Sequence, residues 1–331
     1  MLAPVRTRAL IGLLAVLAGL GLGLSGCGSS SGLRQASLVL DFTPNAVHAG
    51  IYSALARHYD IGEGFRLHVI VPSASTDSVK LLEAGRADFA ILDIHDLAIA
   101  RERGVPLVGI MAIVERPLAA VITQPRIRNP RQLEGQLAGV TGLPSDTGVL
   151  DSVVKGAGGN PARVRRVTIG FNAVPSLLAG RVAAATSFWN DEGVALTRAR
   201  PGFHIFRVDS YGAPSYPELV LCATSSFLSR DRAQANAVVR ALVRGYQFTL
   251  RHPRASATEL EAQVPGLSPA LVRADLAVLR PAFAGPDGRP GELDPAILSR
   301  WARWEARFGI VKRPPDVSQA FDLRIAGSGL S

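Results

Sequence analysis

Cysteine is nearly absent: the 331 residues contain two, Cys27 and Cys222. That scarcity excludes a disulfide framework and any cysteine cluster around zinc or iron. Lysine is rarer than its charge class would suggest, with three against thirty-three arginines, and the arginines are scattered. No basic run interleaved with aromatics is present, so the footprint of a nucleic-acid surface is missing. There is no His-Glu-x-x-His run, no pair of Cys-x-x-Cys motifs, and no nucleophile elbow between a strand and a helix. The usual signatures of zinc and serine hydrolases are therefore lacking. Residues 11–24 form the one long uncharged apolar run. At about fourteen residues it falls short of the ~20 that cross a bilayer. Asp93-Ile94-His95-Asp96 holds metal-ligating side-chain types, but neighbours on a turn into a helix are expected to point apart. No metal and no cofactor is expected.

Arg6 and Arg8 precede that apolar run, and small residues crowd the approach to Leu24-Ser25-Gly26-Cys27. This is the pattern of a secretory signal ending at a cleavage site. A cysteine directly after the site resembles the lipobox of bacterial lipoproteins. The resemblance implies removal of residues 1–26 and a diacylglycerol on Cys27. At ~0.8 kcal/mol per buried methylene, two or three acyl chains would hold the chain on a membrane. A plain signal with an incidental cysteine is the competing arrangement. Gly28-Ser29-Ser30-Ser31-Gly32 suits a flexible tether, expected over residues 27–36. Cys222, in the apolar run 219–223, would then be unpaired and is expected to act as a small buried hydrophobe.

The remaining 305 residues exceed what one core usually organises, so two lobes are expected. The chain is 47% hydrophobic and 19% charged, a globular balance. Its net charge of +9 falls to +7 without Arg6 and Arg8. From residue 37 onward, β-like runs alternate with helical periodicity, the mark of an α/β fold. Strands are expected at 37–42, 66–71, 88–92, 108–113 and 119–123. After the proline-punctuated stretch 124–130 the alternation restarts, with strands at 137–141, 164–169, 183–186, 204–208 and 218–224. Helices are expected at 46–58 (capped by Asn45), 95–103, 230–251, 256–263, 268–279 and 294–308, and the tail 314–331 is expected to be irregular. The expected division is lobe 1 at 37–123 plus 224–331 and lobe 2 at 124–223, with a ligand held between lobes.

The densest polar constellation is Asp41-Phe42-Thr43-Pro44-Asn45-Ala46-Val47-His48-Ala49-Gly50-Ile51-Tyr52, at a strand-to-helix junction. Asn45, His48 and Tyr52 share one helix face. A ring, an amide, an imidazole and a phenol together suit a flat polar heteroaromatic ligand. An N-cap Asn45, a surface His48 and a core Tyr52 would produce the same spacing.

The run LDFTPNAVHAGIYSALARHYD is similar to the opening of the binding proteins that serve thiamine-pyrimidine ABC transporters, the ThiY-like group. The likeness continues through Leu81–Ala90, 100–107, Phe188-Trp189-Asn190-Asp191-Glu192-Gly193 and 211–220. The LEAGRADFA segment is shared with sulfonate and nitrate receptors, so it indicates the superfamily and not the solute. The resemblance implies a two-lobe periplasmic-binding-protein (type II) fold with C-terminal helices. Phe42, where the group usually has tryptophan, would stack on the ligand; Asn45, His48 and Tyr52 would make polar contacts. Asp93 would meet a ring amine, in a loop that departs from the group's pattern. Glu115 is a further candidate, or a loop carboxylate paired with Arg116. Ser145 and Asp146 precede a helix whose free N–H groups can hold an anion or carbonyl, although Asp146 could equally be an N-cap. Trp189, Asn190, Glu192 and Tyr216 would close from the second lobe, with a core Trp189 as the alternative.

The implied role is a non-enzymatic, monomeric solute receptor, lipid-anchored outside the cytoplasmic membrane, that delivers a pyrimidine-type molecule to an ABC permease and its ATPase. Riboflavin, sulfonate or nitrate are alternative solutes. The same superfamily contains a pyrimidine synthase that consumes its own histidine and pyridoxal phosphate. His48 falls at that position, but the synthase's cysteine cluster is missing here.

Overall fold

The computed structural model describes residues 32–73 and 77–329. The expected signal, Cys27 and most of the tether lie outside the described residues, as do 74–76 of the expected turn into the helix Asp77–Glu83. The strands, in chain order, are β1 Arg34–Val39, β2 Phe65–Ile70, β3 Phe89–Asp93, β4 Leu107–Val114, β5 Ala119–Thr123, β6 Leu137–Val140, β7 Arg165–Thr168, β8 Ala184–Phe188, β9 His204–Arg207 and β10 Leu219–Thr224. They form two five-stranded sheets, ordered β2-β1-β3-β10-β4 and β7-β6-β8-β5-β9.

The sheets repeat one plan. In the first, β1 runs parallel to β2 and β3, and β10 is inserted antiparallel between β3 and β4. In the second, β6 runs parallel to β7 and β8, and β5 is inserted antiparallel between β8 and β9. Each inserted strand follows in sequence an edge strand of the other sheet, β10 after β9 and β5 after β4. The chain therefore passes between sheets at 115–118 and again at 208–218, not at the expected 124. Strand β5, expected in lobe 1, pairs in the second sheet, and β10 pairs in the first. Polarity gave no hint of this, because β4 and β5 are both buried along their whole length.

Three other expectations change. Arg34, Gln35 and Ala36, assigned to the tether, pair with Phe65, Arg66 and Leu67. Strand β1 ends at Val39, which frees Phe42 to stand in a loop. The tail is not irregular: it forms short helices Val317–Ala320 and Leu323–Gly327, and Phe321 bridges to Gly109. A Cβ at Gly109 would stand 2.6 Å from the Phe321 ring, so glycine makes room for this docking.

Helix Arg232–Arg251 buries Ala235, Val238, Leu242 and Tyr246, an apolar stripe at helical spacing. It lies against helix Ala49–Ala56 so closely that a Cβ on Gly245 would fall 2.0 Å from the Gly50 carbonyl. One apolar cluster runs continuously through both sheets, from Val39 and Leu92 through Val121 and Ala138 to Leu150. Trp301 and Trp304 of helix Pro295–Arg307 join it, and the Trp304 indole donates to Ser152 Oγ at 3.2 Å. Residues 295–311, expected with lobe 1, thus pack on helix Pro144–Gly156 as well, because their apolar faces complete its burial. No helix among the described residues is long and apolar enough to cross a membrane.

Candidate functional site

A cavity of about 1080 Å³, counting its open mouth, lies between the two sheets. Its walls are loops at the carboxyl ends of the parallel strands, where α/β folds hold ligands. From the first sheet come Asp41, Phe42 and Asn45 after β1, Asp93 and Asp96 after β3, and Glu218 before β10. From the second come Ser145 and Asp146 after β6, Phe171 after β7, and Asn190, Asp191 and Glu192 after β8.

The loop after β1 is held from behind. Asn45 caps the first turn, accepting at Oδ1 from the Val47 N–H at 2.9 Å, while its own N–H donates to His48 Nδ1 at 3.1 Å. Because Nδ1 accepts, the ring proton sits on Nε2, which donates to Asp41 Oδ1 at 2.9 Å. The expected helix 46–58 accordingly opens with a 3-10 turn, Ala46–His48, before Ala49–Ala56. His48 is fully buried and does not line the cavity, nor does Tyr52, which is 6% exposed in the core. Shared spacing on a helix face does not bring His48 and Tyr52 to the ligand space, although Asn45 at the start of that face reaches it.

The floor contains a buried ionisable group of residues. Asp93 ends β3 and caps helix Ile94–Glu102 by accepting from the His95 N–H at 2.8 Å. The expectation that Asp93 and His95 point apart fails here. His95 Nε2 lies 4.0 Å from Asp93 Oδ1, 3.8 Å from Glu218 Oε1 and 3.2 Å from the Tyr216 hydroxyl. The ligand-type atoms of Asp93, His95 and Glu218 all fall within 4.8 Å of one another. Nδ1 of His95 pairs with Glu305 from helix Pro295–Arg307. Burial alone would lower the His95 pKa, but Glu305, Asp93 and Glu218 overcome it and raise it to about 10. Glu218 accepts from the Ala119 N–H at 3.0 Å and from that of Leu118; burial and nearby Asp93 push it up to about 8. Burial, opposed by His95, puts Asp93 at about 6.

Around this floor acids accumulate. Asp96 accepts no hydrogen bond among the described residues, and burial with Asp93 nearby raises it to about 8. Glu192 accepts from the Phe188 N–H at 3.0 Å, and burial with Asp191 beside it raises it to about 7. Asp146 accepts from the N–H of Thr141 at 2.9 Å and of Leu143 at 3.3 Å, bracing the loop after β6. Among the described residues, no lysine or arginine lines the cavity.

Three further sequence-predicted residues stand outside it. Glu115 binds the N–H groups of Gly291 and Glu292, each at 2.9 Å, and clamps a different loop; burial raises it to about 8. Trp189 donates to the Pro117 carbonyl at 2.9 Å, and the Arg207 guanidinium lies 4.5 Å from its ring centroid. Tyr216 is fully buried behind the floor against His95, and burial drives its phenol pKa well up. Phe42, Asn45, Asp93, Ser145, Asp146, Asn190 and Glu192 do line the cavity. Sequence reasoning missed Asp41, Asp96, Asp191, Glu218, Phe171 and Thr186. Asp41 and Asp191 sit inside the very runs that drew attention to Phe42 and Glu192, whereas Phe171 carries no local signal.

The described geometry coincides with clear likenesses. A family model described as NMT1/THI5 like matches residues 45–256. The chain is 27% identical to a formylaminopyrimidine-binding protein of Halalkalibacterium halodurans over 297 residues, 87% of this chain and 90% of that relative. It is 24% identical over 226 residues to a 4-amino-5-hydroxymethyl-2-methylpyrimidine phosphate synthase of Aspergillus parasiticus, covering 64% of this chain and 66% of that one. Among solved structures, the periplasmic aliphatic sulphonate binding protein SsuA from Escherichia coli superposes with a TM-score of 0.70 at 12% identity, covering 88% of this chain and 99% of that chain. The fold is thus that of periplasmic binding proteins, and with the family model spanning most of its length the chain belongs to the NMT1/THI5-like family.

Proposed function

We propose that this protein is the extracytoplasmic solute-binding component of an ABC importer, capturing a small pyrimidine-type heterocycle between its two lobes for delivery to the permease. The observation that carries the reading is the cavity itself, built by loops from both sheets at the carboxyl ends of their parallel strands. A ligand touching Phe42 and Asn45 on one side and Asn190 and Glu192 on the other would bridge the lobes. It would then favour a closed form only by the differential contacts it makes there. The segments 115–118 and 208–218 are the natural hinges, since only they connect the sheets. The likeness to a formylaminopyrimidine-binding protein supports the ligand class.

A synthase role is disfavoured by His48. The residue at the position of the synthase's consumed histidine is fully buried, outside the cavity, with both ring nitrogens occupied. An acid-lined cavity would also repel the phosphate of pyridoxal phosphate. Incubation with pyridoxal phosphate and iron should leave the mass of the His48 peptide unchanged, and its loss would revive the enzyme reading.

The lipobox-like run supports anchoring through Cys27. Metabolic labelling with an alkyne fatty acid should tag the wild-type chain, and Cys27→Ser should abolish the label and release the protein from membranes. The solute reading is tested by calorimetric titration with 4-amino-5-hydroxymethyl-2-methylpyrimidine, its formylamino and aminomethyl counterparts, riboflavin, taurine and nitrate. Saturable binding of a pyrimidine is expected; failure of every heterocycle to bind would overturn it.

A further inference from the structure

We propose that the solute is a small aromatic cation, a flat ring bearing a protonated amine or other positive charge, seated with that charge against Asp93, Asp96 and Glu218. This deepens the receptor reading and rests on it.

The first observation is charge that the protein does not balance. Among groups lining the cavity, the carboxylates come from both walls, and the one basic side chain is His95. The single positive charge of His95 is shared by three carboxylates, Glu305 at its Nδ1 and Asp93 and Glu218 at 4.0 and 3.8 Å from its Nε2, so the acids outnumber it. Glu218 is fully buried, yet only its Oε2 is engaged, by the Leu118 and Ala119 N–H groups. Its Oε1 lies 3.8 Å from His95 Nε2 and has no hydrogen-bond partner. Asp96 has none either. Burying such groups without a counter-charge is costly, and an empty cavity meets that cost by taking up protons. A bound cation would replace those protons.

The second observation concerns hydrogen bonding. Glu218 Oε1, Asn190 Oδ1 and Thr186 Oγ1 are buried, line the cavity and lack partners. The first two are acceptors, so the missing group must donate. A sulfonate or nitrate brings only acceptors and negative charge, and would meet repulsion here although the fold is shared with a sulphonate receptor. The third observation is that Phe42, Phe171 and Phe188 line the same space. Aromatic faces attract organic cations and ring systems alike. The acids are spread over two walls of a cavity sized for an organic molecule, and this favours an extended cation over a single metal ion held at the Asp93, His95 and Glu218 atoms.

The test is a matched pair: 4-amino-5-hydroxymethyl-2-methylpyrimidine and the same ring with aminomethyl replacing hydroxymethyl, titrated calorimetrically into the wild-type protein at pH 7.5. The aminomethyl compound is expected to bind at least tenfold tighter and to release protons, read from the dependence of the heat on buffer ionisation enthalpy. Asp96→Asn should reduce that preference severalfold. Aminomethylpyridine and pyridylmethanol, run in parallel, separate the two readings. Preference for the pyridine amine with no pyrimidine bound upholds the cation and overturns the pyrimidine. Equal or tighter binding of the hydroxymethyl compound overturns the cation and leaves the pyrimidine receptor standing. Tighter binding of taurine or nitrate, or zinc binding that competes with the amine at lower concentration, also overturns the proposal, and no binding by any compound overturns both.

Discussion

The rings of Phe42 and Phe171 meet edge to face, with centroids 4.9 Å apart and planes at 74°. Phe42 stands in the loop after β1 and Phe171 in the loop after β7, so the contact joins the two lobes across the cavity. Phe171 is 49% exposed, an unusual position for a large apolar side chain with no function at the surface. The pair adds an apolar contact between the lobes to the cluster that runs continuously through both sheets.

Phe42→Ala should weaken binding of an aromatic solute about tenfold, in line with the ~0.5–1.5 kcal/mol that a ring pair adds beyond burial. Because Phe42 is only half-buried, thermal stability should barely change. Phe42→Trp should retain or raise affinity. Titration of the three proteins with one pyrimidine decides it, and unchanged affinity in the alanine variant would remove Phe42 from the site.

His48→Ala should destabilise the fold by about 1–3 kcal/mol, since it leaves the Asn45 N–H and Asp41 without their buried partner. The effect should be visible as a lower Tm by calorimetry. Solute affinity should fall as well, through the loosened loop that carries Asp41 and Phe42. A variant with wild-type Tm that no longer binds would mean that His48 touches ligand directly.

The ligand-free protein should lose stability as pH rises from about 5 to 9. Asp93, Glu192, Asp96 and Glu218 have folded-state values near 6, 7, 8 and 8, raised mainly by burial, against 3.8 or 4.5 ordinarily. Between those limits the folded state holds protons that the unfolded chain has released, so each group favours folding at low pH and opposes it as pH climbs. His95, raised from 6.5 to about 10, acts in the same direction between those values. Each such proton contributes up to about 1.4 kcal/mol per pH unit. Urea melts across this range should show a falling ΔG, and Asp96→Asn should flatten the slope.

Gly245→Ala should destabilise severely, by more than about 3 kcal/mol, because the new methyl would meet the Gly50 carbonyl at 2.0 Å, with Ala54 also against it. Backbone is on the other side of this contact, so no side chain can swing away. Soluble expression and urea melts would measure it; a variant of wild-type stability would contradict the helix pairing.

Much of the fold was legible because burial and periodicity coincide locally. Apolar spacing gives strand β5 at its observed bounds, and helix Arg232–Arg251 within two residues. Which sheet β5 joins was not legible, since a strand buried on both faces reads the same in either sheet. The site divided in a similar way. Asn45 and Asp146, read from their places at element starts, and Asn190 and Glu192, read from the resemblance, line the cavity. His48 and Tyr52 lie outside the cavity, since helical spacing reports which residues share a face and not whether each side chain reaches ligand or core.

Composition and pattern alone determined the fold class: an α/β chain with two cysteines, scattered arginines and an apolar run near its start that resembles a signal. These properties follow from residue type and short-range order. Only the tertiary structure decided the character of the cavity. Glu218 and Asp93 are separated by more than a hundred residues, and Glu305 lies farther still along the chain. Antiparallel insertion of β10 beside β3 and the docking of helix Pro295–Arg307 bring all three around His95. Charge density in a buried site is set by distance and dielectric, and neither is written in the order of the residues.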